Sequence, residues 1–357
     1  MPPRRVRDDV LILRAAGAPD RELRRGSLAD YGFRDSMPSQ RQFQVSPDGR
    51  VLAYAMPGKD AIRLLRRDGA EAVLERVSGY DVRFSPDGGT LAFAADGEFP
   101  QRRIDRVDLR TLDRTPWADL PHAPDWFEIC AAGLVVAHPG KDYSRAQVTL
   151  VPWSGDPQTL AVTRVQWGGI RRVCAARDGA RVVYFDSDGV WSLDGPGATP
   201  RALPVERELV PNAELSPDGR VLAVATRNGL SLFEGDGPPQ RFGIESPVQS
   251  VWFSPDGEEL AWATQDVATW RRGDDERRFA LHEGTIAAMR FLHGGRGLLL
   301  SIGGDLVLWS PERDERTVLT RVDGELLGAD VFEGGLALWV GTPWKPFERR
   351  RVHAVGS

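Results

Sequence analysis

One short pattern recurs along the chain and constrains its fold more than any other feature: an apolar strand, a Ser-Pro-Asp-Gly turn, then a second apolar strand. The first copy runs through 43–55, with Ser46, Pro47, Asp48 and Gly49 at the turn. The same four residues recur at 85–88, 216–219 and 254–257. Degenerate copies around Gly133, Gly179, Gly295 and Gly335 fill the gaps, so a turn glycine recurs about every 40 residues. The turn has a physical logic. Proline presets φ, aspartate accepts from nearby backbone N–H groups, and glycine accepts positive φ.

A third apolar segment follows most copies, as at 62–65, 148–151, 190–193, 230–233, 267–270 and 306–309, and a polar fourth leads into the next copy, as at 72–76 and 276–280. A four-stranded unit repeated at this period buries its faces by packing against its neighbours. The chain therefore reads as all-β: a single closed β-propeller over 1–357, with eight four-stranded blades favoured and seven as the alternative. Segment 9–26 resembles the outer half of a blade, and a lone hairpin is marginal in water. It is expected to close the ring on the inner strands at 329–332 and 336–340, which removes exposed sheet edges. Segment 27–42 is expected to cross to the first repeat, 43–357 carries the repeats, and 350–355 is a competing third strand or an added edge.

These repeats resemble WD40 and the related TolB-like, PD40-type propeller repeats. His282, Gly284 and the alternating apolar residues to Phe291 fit the WD40 entry into a first strand, and Trp309 stands where the family places the tryptophan of its WD dipeptide. Ser310 follows Trp309, Arg271 follows Trp270 and Glu234 follows Phe233, so the family's buried His–Asp–Trp network is expected to be mostly absent. The resemblance implies a scaffold that binds other proteins. It implies no particular partner.

Composition narrows the function classes. A net charge of -5 gives no general reason to expect nucleic-acid binding, and no apolar run approaches a membrane span. Two cysteines, Cys130 and Cys174, make no disulfide framework and read as buried core thiols, which fits a reducing cytoplasm. Heavy use of Arg, Ala and Gly suggests a GC-rich bacterial genome. Histidine spacing matches no metal motif, and no nucleophile elbow, Walker loop or dinucleotide fingerprint is present. No catalytic residue, cofactor or metal is assigned, and the turn aspartates supply too few oxygens for calcium. Asp125 and Glu128 are carboxylates that folding could bring together. Trp191, Trp252, Trp262, Trp270, Trp309 and Trp339 fall within strands and are expected to pack between blades.

The connections between second and third strands carry the functional expectation. They are minimal at 186–189, 227–229, 265–266 and 303–305, but richer at 56–60, 96–103, 138–145 and 341–347. In a ring those four belong to the last, first, second and third blades. The chain's three lysines, Lys59, Lys141 and Lys345, all lie there. With Asp60, Phe99, Arg102, Tyr143, Arg145, Trp344 and Phe347, and with Trp117 and Trp126 from the segment joining the second and third blades, they form a candidate aromatic and cationic rim. Such a rim suits a protein partner with acidic segments, in a multi-subunit bacterial system. The alternatives are a hydrolase- or lyase-like enzyme using the channel mouth, and a small-ligand or glycan-binding propeller.

Overall fold

A computed structural model of the chain describes residues 8–15, 19–27, 43–56, 61–96, 102–140, 144–164, 169–205, 212–226, 229–235, 237–243, 246–281, 284–292, 297–323, 325–332 and 335–341. These form an eight-bladed propeller in which every blade is a four-stranded antiparallel sheet. Seven blades each take four consecutive strands. Their first strands are Phe43–Val45, Val77–Phe84, Trp126–Cys130, Arg172–Ala175, Ala213–Leu215, Ser250–Phe253 and Ile286–Phe291, in blades 1 to 7. The first strands of neighbouring blades lie against one another and line the central channel.

Blade 8 joins the two ends of the chain. Its inner strands are Glu325–Phe332 and Gly335–Gly341, and its outer strands are Asp8–Ala15 and Arg21–Ser27. Asp9 pairs with Gly341 and Ala15 with Gly335 along a continuous antiparallel register. The pairing places Leu11, 1% exposed, among Phe43, Val45, Leu52, Tyr54 and Leu65 of blade 1 and Ala337 of blade 8. The hairpin at 9–26 is thus the ring closure, while 28–42 and 350–355 lie outside the described residues.

Apolar faces pack blade on blade, as the alternation along each strand requires. Separate buried clusters occupy the successive interfaces: blades 1–2 around Phe93, blades 3–4 around Tyr184, blades 6–7 around Trp270 and Trp309. Trp262, Trp270 and Trp309 are buried as their strand positions imply, and Trp191 packs against Tyr184 with ring centroids 6.3 Å apart. The indole donors find varied acceptors in place of the family network. Trp270 Nε1 donates to Glu259 (2.8 Å) and Trp191 Nε1 to Asp186 (3.0 Å), whereas Trp309 Nε1 has no partner among the described residues.

The Ser-Pro-Asp-Gly turns are self-contained. In blade 2 the buried Ser85 hydroxyl donates to Asp87 (2.5 Å) and accepts from the Thr90 amide (2.9 Å). Ser46, Ser216 and Ser254 repeat both contacts. The serine hydroxyls hold the Asp87 and Asp256 carboxyls below the ordinary range. Neighbouring turns also touch: the Ala131 amide donates to Arg177 (2.7 Å) and the Arg177 amide to Pro217 (2.8 Å). The turns of blades 3, 4 and 5 are thus tied to one another on this face, and the second strands run from it to the opposite face.

Candidate functional site

Of the expected rim residues, Arg102, Trp117, Trp126 and Arg145 are described, while Lys59, Asp60, Phe99, Lys141, Tyr143, Trp344, Lys345 and Phe347 lie outside the described residues. Arg102 and Arg145 begin the third strands of blades 2 and 3, at the loop-rich face. Arg145 is exposed, and its carbonyl accepts from the Gly140 amide (2.7 Å), closing the connection between them. Trp117 lies away from these residues. It sits in the outer strand of blade 2, Arg114–Leu120, and stacks on Trp153 of blade 3 at 4.6 Å, with the Arg106 guanidinium 5.3 Å from its ring.

Strand limits also narrow the contrast between connections. Residues 57–60 join the second and third strands of blade 1, a span no longer than 186–189 of blade 4. The blade 4 turn is satisfied internally. Asp186 accepts from the amides of Asp188 (2.8 Å) and Gly189 (2.9 Å), and its own amide donates to the Gly189 carbonyl (3.0 Å).

Trp126 opens the first strand of blade 3 and is half-buried at the loop-side end of the channel wall. Its Nε1 donates to Glu128 Oε1 (2.9 Å), and the guanidiniums of Arg83 and Arg172 each lie 5.3 Å from its ring centre. Such cation–π contacts strengthen where water is scarce. Arg83 Nε, in blade 2, pairs with the other Glu128 oxygen at 3.2 Å. Arg172 Nη2, in blade 4, pairs with Glu214 Oε2 of blade 5 at 3.3 Å, and Arg290 of blade 7 pairs with Asp330 of blade 8.

These pairs share one geometry: an arginine on the first strand of a blade meets an acid on the first strand of the next. The acids, with Arg83 and Arg290, occupy the position two residues before the turn segment, while Arg172 lies one alternation earlier than Cys174. Aligning the copies on their turns exposes this column as Gln44, Arg83, Glu128, Cys174, Glu214, Trp252, Arg290 and Asp330. The signal was present in the sequence, but the glycine period does not display it.

Burial pushes the Glu214 carboxyl up from 4.5 to about 7, opposed by Arg172 and reinforced by Glu128. Burial also pushes the Cys174 thiol up to about 12, which favours its protonated form. Cys130 and Cys174 are both free and buried. Asp125 turns elsewhere: it accepts from the Ile170 amide (3.3 Å), and burial raises its pKa. His138 is buried in blade 3, where Nδ1–H donates to the Pro139 carbonyl (2.9 Å) and burial lowers its pKa. Among the described residues no cluster of three or more His, Cys, Asp or Glu is arranged to hold a metal.

Comparison with known proteins places this geometry. No family model matches the chain. Human WD repeat-containing protein 90 is 26% identical over 288 residues, which is 72% of this chain and 16% of that protein. The crystal structure of Sqt1 from Saccharomyces cerevisiae aligns with 87% of this chain and 98% of its own, at TM-score 0.60 and 12% identity. Chaetomium thermophilum Sqt1, solved bound to the N-terminus of the ribosomal protein L10, covers 84% and 95% at TM-score 0.59 and 15% identity. The chain has the β-propeller fold of these structures and is similar in sequence to a WD repeat protein. The chain spans a small part of the human relative's length, and the likeness to Sqt1 is one of fold. Among the described residues the channel arginine–acid pairs are polar ties between blades.

Proposed function

We propose that the chain is a non-catalytic interaction scaffold that binds a protein partner through the loop-rich face of blades 8, 1, 2 and 3. The observation that carries this reading is the uneven chemistry of that face. Blades 4 and 6 connect their second and third strands through turns that satisfy their own polar groups, at Asp186 and at Thr264, whose hydroxyl donates to Asp266 (2.8 Å) and accepts from Val267 N–H (3.0 Å). The segments 57–60, 97–101 and 140–144 and the residues after Gly341 instead carry all three lysines together with Phe99, Tyr143, Trp344 and Phe347. Lysine and aromatic side chains concentrated on one sector suit an acidic protein segment.

Two further points support the reading. A propeller of similar fold, Sqt1, has been solved with the N-terminus of a ribosomal protein bound. The channel acids Glu128, Glu214 and Asp330 each face an arginine from the preceding blade, an arrangement suited to tying strands together. The cytoplasm, and a multi-subunit bacterial assembly, are the setting this composition suggests. The test is affinity capture with the wild type and with Lys59, Lys141, Lys345 and Trp344 replaced together by Ala. Loss of a specific partner with an unchanged thermal midpoint supports the rim. Capture of the same partner by the variant sinks it.

A further inference from the structure

The channel wall between blades 3 and 5 holds its charges unequally. Glu128 has both oxygens engaged, one by Trp126 Nε1 and one by Arg83. Asp330 is 2% exposed, and beyond Arg290 it accepts from the Val331 amide (2.9 Å). Glu214 is the least supported of the three: among the described residues its one hydrogen bond comes from Arg172 at 3.3 Å. Arg172 is held unevenly: its Nε is buried with no hydrogen-bond partner among the described residues, while the guanidinium meets Glu214, the Cys174 thiol and the Trp126 ring.

We infer that Arg172 and Glu214 form a proton-operated latch in the channel wall, whose release frees Arg172 from blade 5 to settle on the Trp126–Glu128 unit of blade 3. Glu214 faces Arg172 and Cys174 from blade 4, Glu128 from blade 3 and Arg83 from blade 2. The first strand of blade 6, Ser250–Phe253, brings no charged group. With Glu214 ionised, two arginines balance two carboxylates and the latch is closed. Protonation removes the charge that draws Arg172 toward blade 5, and Glu128 remains as the nearest anion. Burial of Glu214 sets the transition near neutrality. The latch is independent of which partner the rim binds, because its readout is Trp126 itself.

The experiment follows the Trp126 indole N–H resonance of the full chain by NMR, from about pH 5.5 to about pH 8.5, with Trp126→Phe as the assignment control. The wild type is expected to titrate with a midpoint near 7. Glu214→Gln, which keeps shape and removes the charge, is expected to hold the low-pH shift throughout. His122→Gln, altering the histidine in the segment leading into Trp126, is expected to leave the midpoint unchanged. A wild-type Trp126 resonance that is flat over this range overturns the inference without recourse to any functional variant. So does a titration that survives in Glu214→Gln, or one that vanishes in His122→Gln.

Discussion

Replacing Leu11 by alanine tests whether the N-terminal strand completes the ring's core. Leu11 is 1% exposed and packs against Phe43, Leu52, Tyr54 and Leu65 across the interface of blades 8 and 1. Leucine to alanine removes three carbons, roughly 2.4 kcal/mol of transfer free energy at ~0.8 kcal/mol for each. A residual cavity adds up to about 2 kcal/mol where backbone holds the walls apart, so the expected loss is about 3–4 kcal/mol. Here the walls belong to two blades, each tied into its own sheet, and collapse is restricted. Leu13 is the control: it lies on the same strand and the same face but is only partly buried, and Leu13→Ala is expected to lose less than half as much. Urea unfolding, followed by tryptophan fluorescence and by far-ultraviolet circular dichroism, measures both. Equal losses at the two positions, or a loss at Leu11 under about 1 kcal/mol, would refute closure through this strand.

Other perturbations probe the turns, the buried charges and the channel. Ser85→Ala and Ser254→Ala each remove a buried hydroxyl that serves an aspartate and a backbone amide, and each is expected to cost about 1–2 kcal/mol, additively because blades 2 and 6 are not neighbours. These hydroxyls lower the Asp87 and Asp256 pKa values, so their stabilisation is present above the ordinary carboxylate pKa and lost as pH falls through the lowered one; both variants should show a shallower acid decline in thermal midpoint. Gly179→Ala places a Cβ 2.8 Å from both Cys130 Sγ and Ala132 Cβ at φ +80, whereas Gly197 has the same φ and open space; denaturation should show the first losing at least about 1 kcal/mol more. Asp105, 1% exposed between Arg103 and Arg114, anchors both, and Asp105→Asn is expected to cost about 3 kcal/mol by urea unfolding. For Glu214 the sign is reversed from the turn aspartates: a raised folded pKa means the native state binds the extra proton, so stability falls as pH rises from about 4.5 to about 7. Glu214→Gln should remove that fall, measured as the thermal midpoint against pH.

Much of the fold was legible because its information is local. A Ser-Pro-Asp-Gly turn encodes its own geometry through the residues that make it, and eight copies at one period leave a ring of four-stranded blades as the way to bury every sheet face. The closing hairpin was legible too, since an orphan pair of outer strands at one end matches an orphan pair of inner strands at the other. The burial of Trp262, Trp270 and Trp309 followed from strand position. The candidate site was less so. Trp117 looked like a loop anchor, yet it stacks on Trp153 in the wall between blades 2 and 3, because the outer strand extends through it to Leu120. Asp125 and Glu128 looked like possible partners, yet each is held by a different blade.

The sequence by itself determined the repeat, the turn chemistry and the ring they imply, since all depend on residues close together in the chain. Only the tertiary structure decided which charges meet. Arg83 and Glu128 are 45 positions apart and Arg172 and Glu214 are 42, and each pair is made by the angle between adjacent blades. Local patterning says that a residue occupies an inner strand. It does not say whose side chain stands across the interface between blades, and that packing buries Glu214, which raises its pKa, and places Trp126 between two arginines.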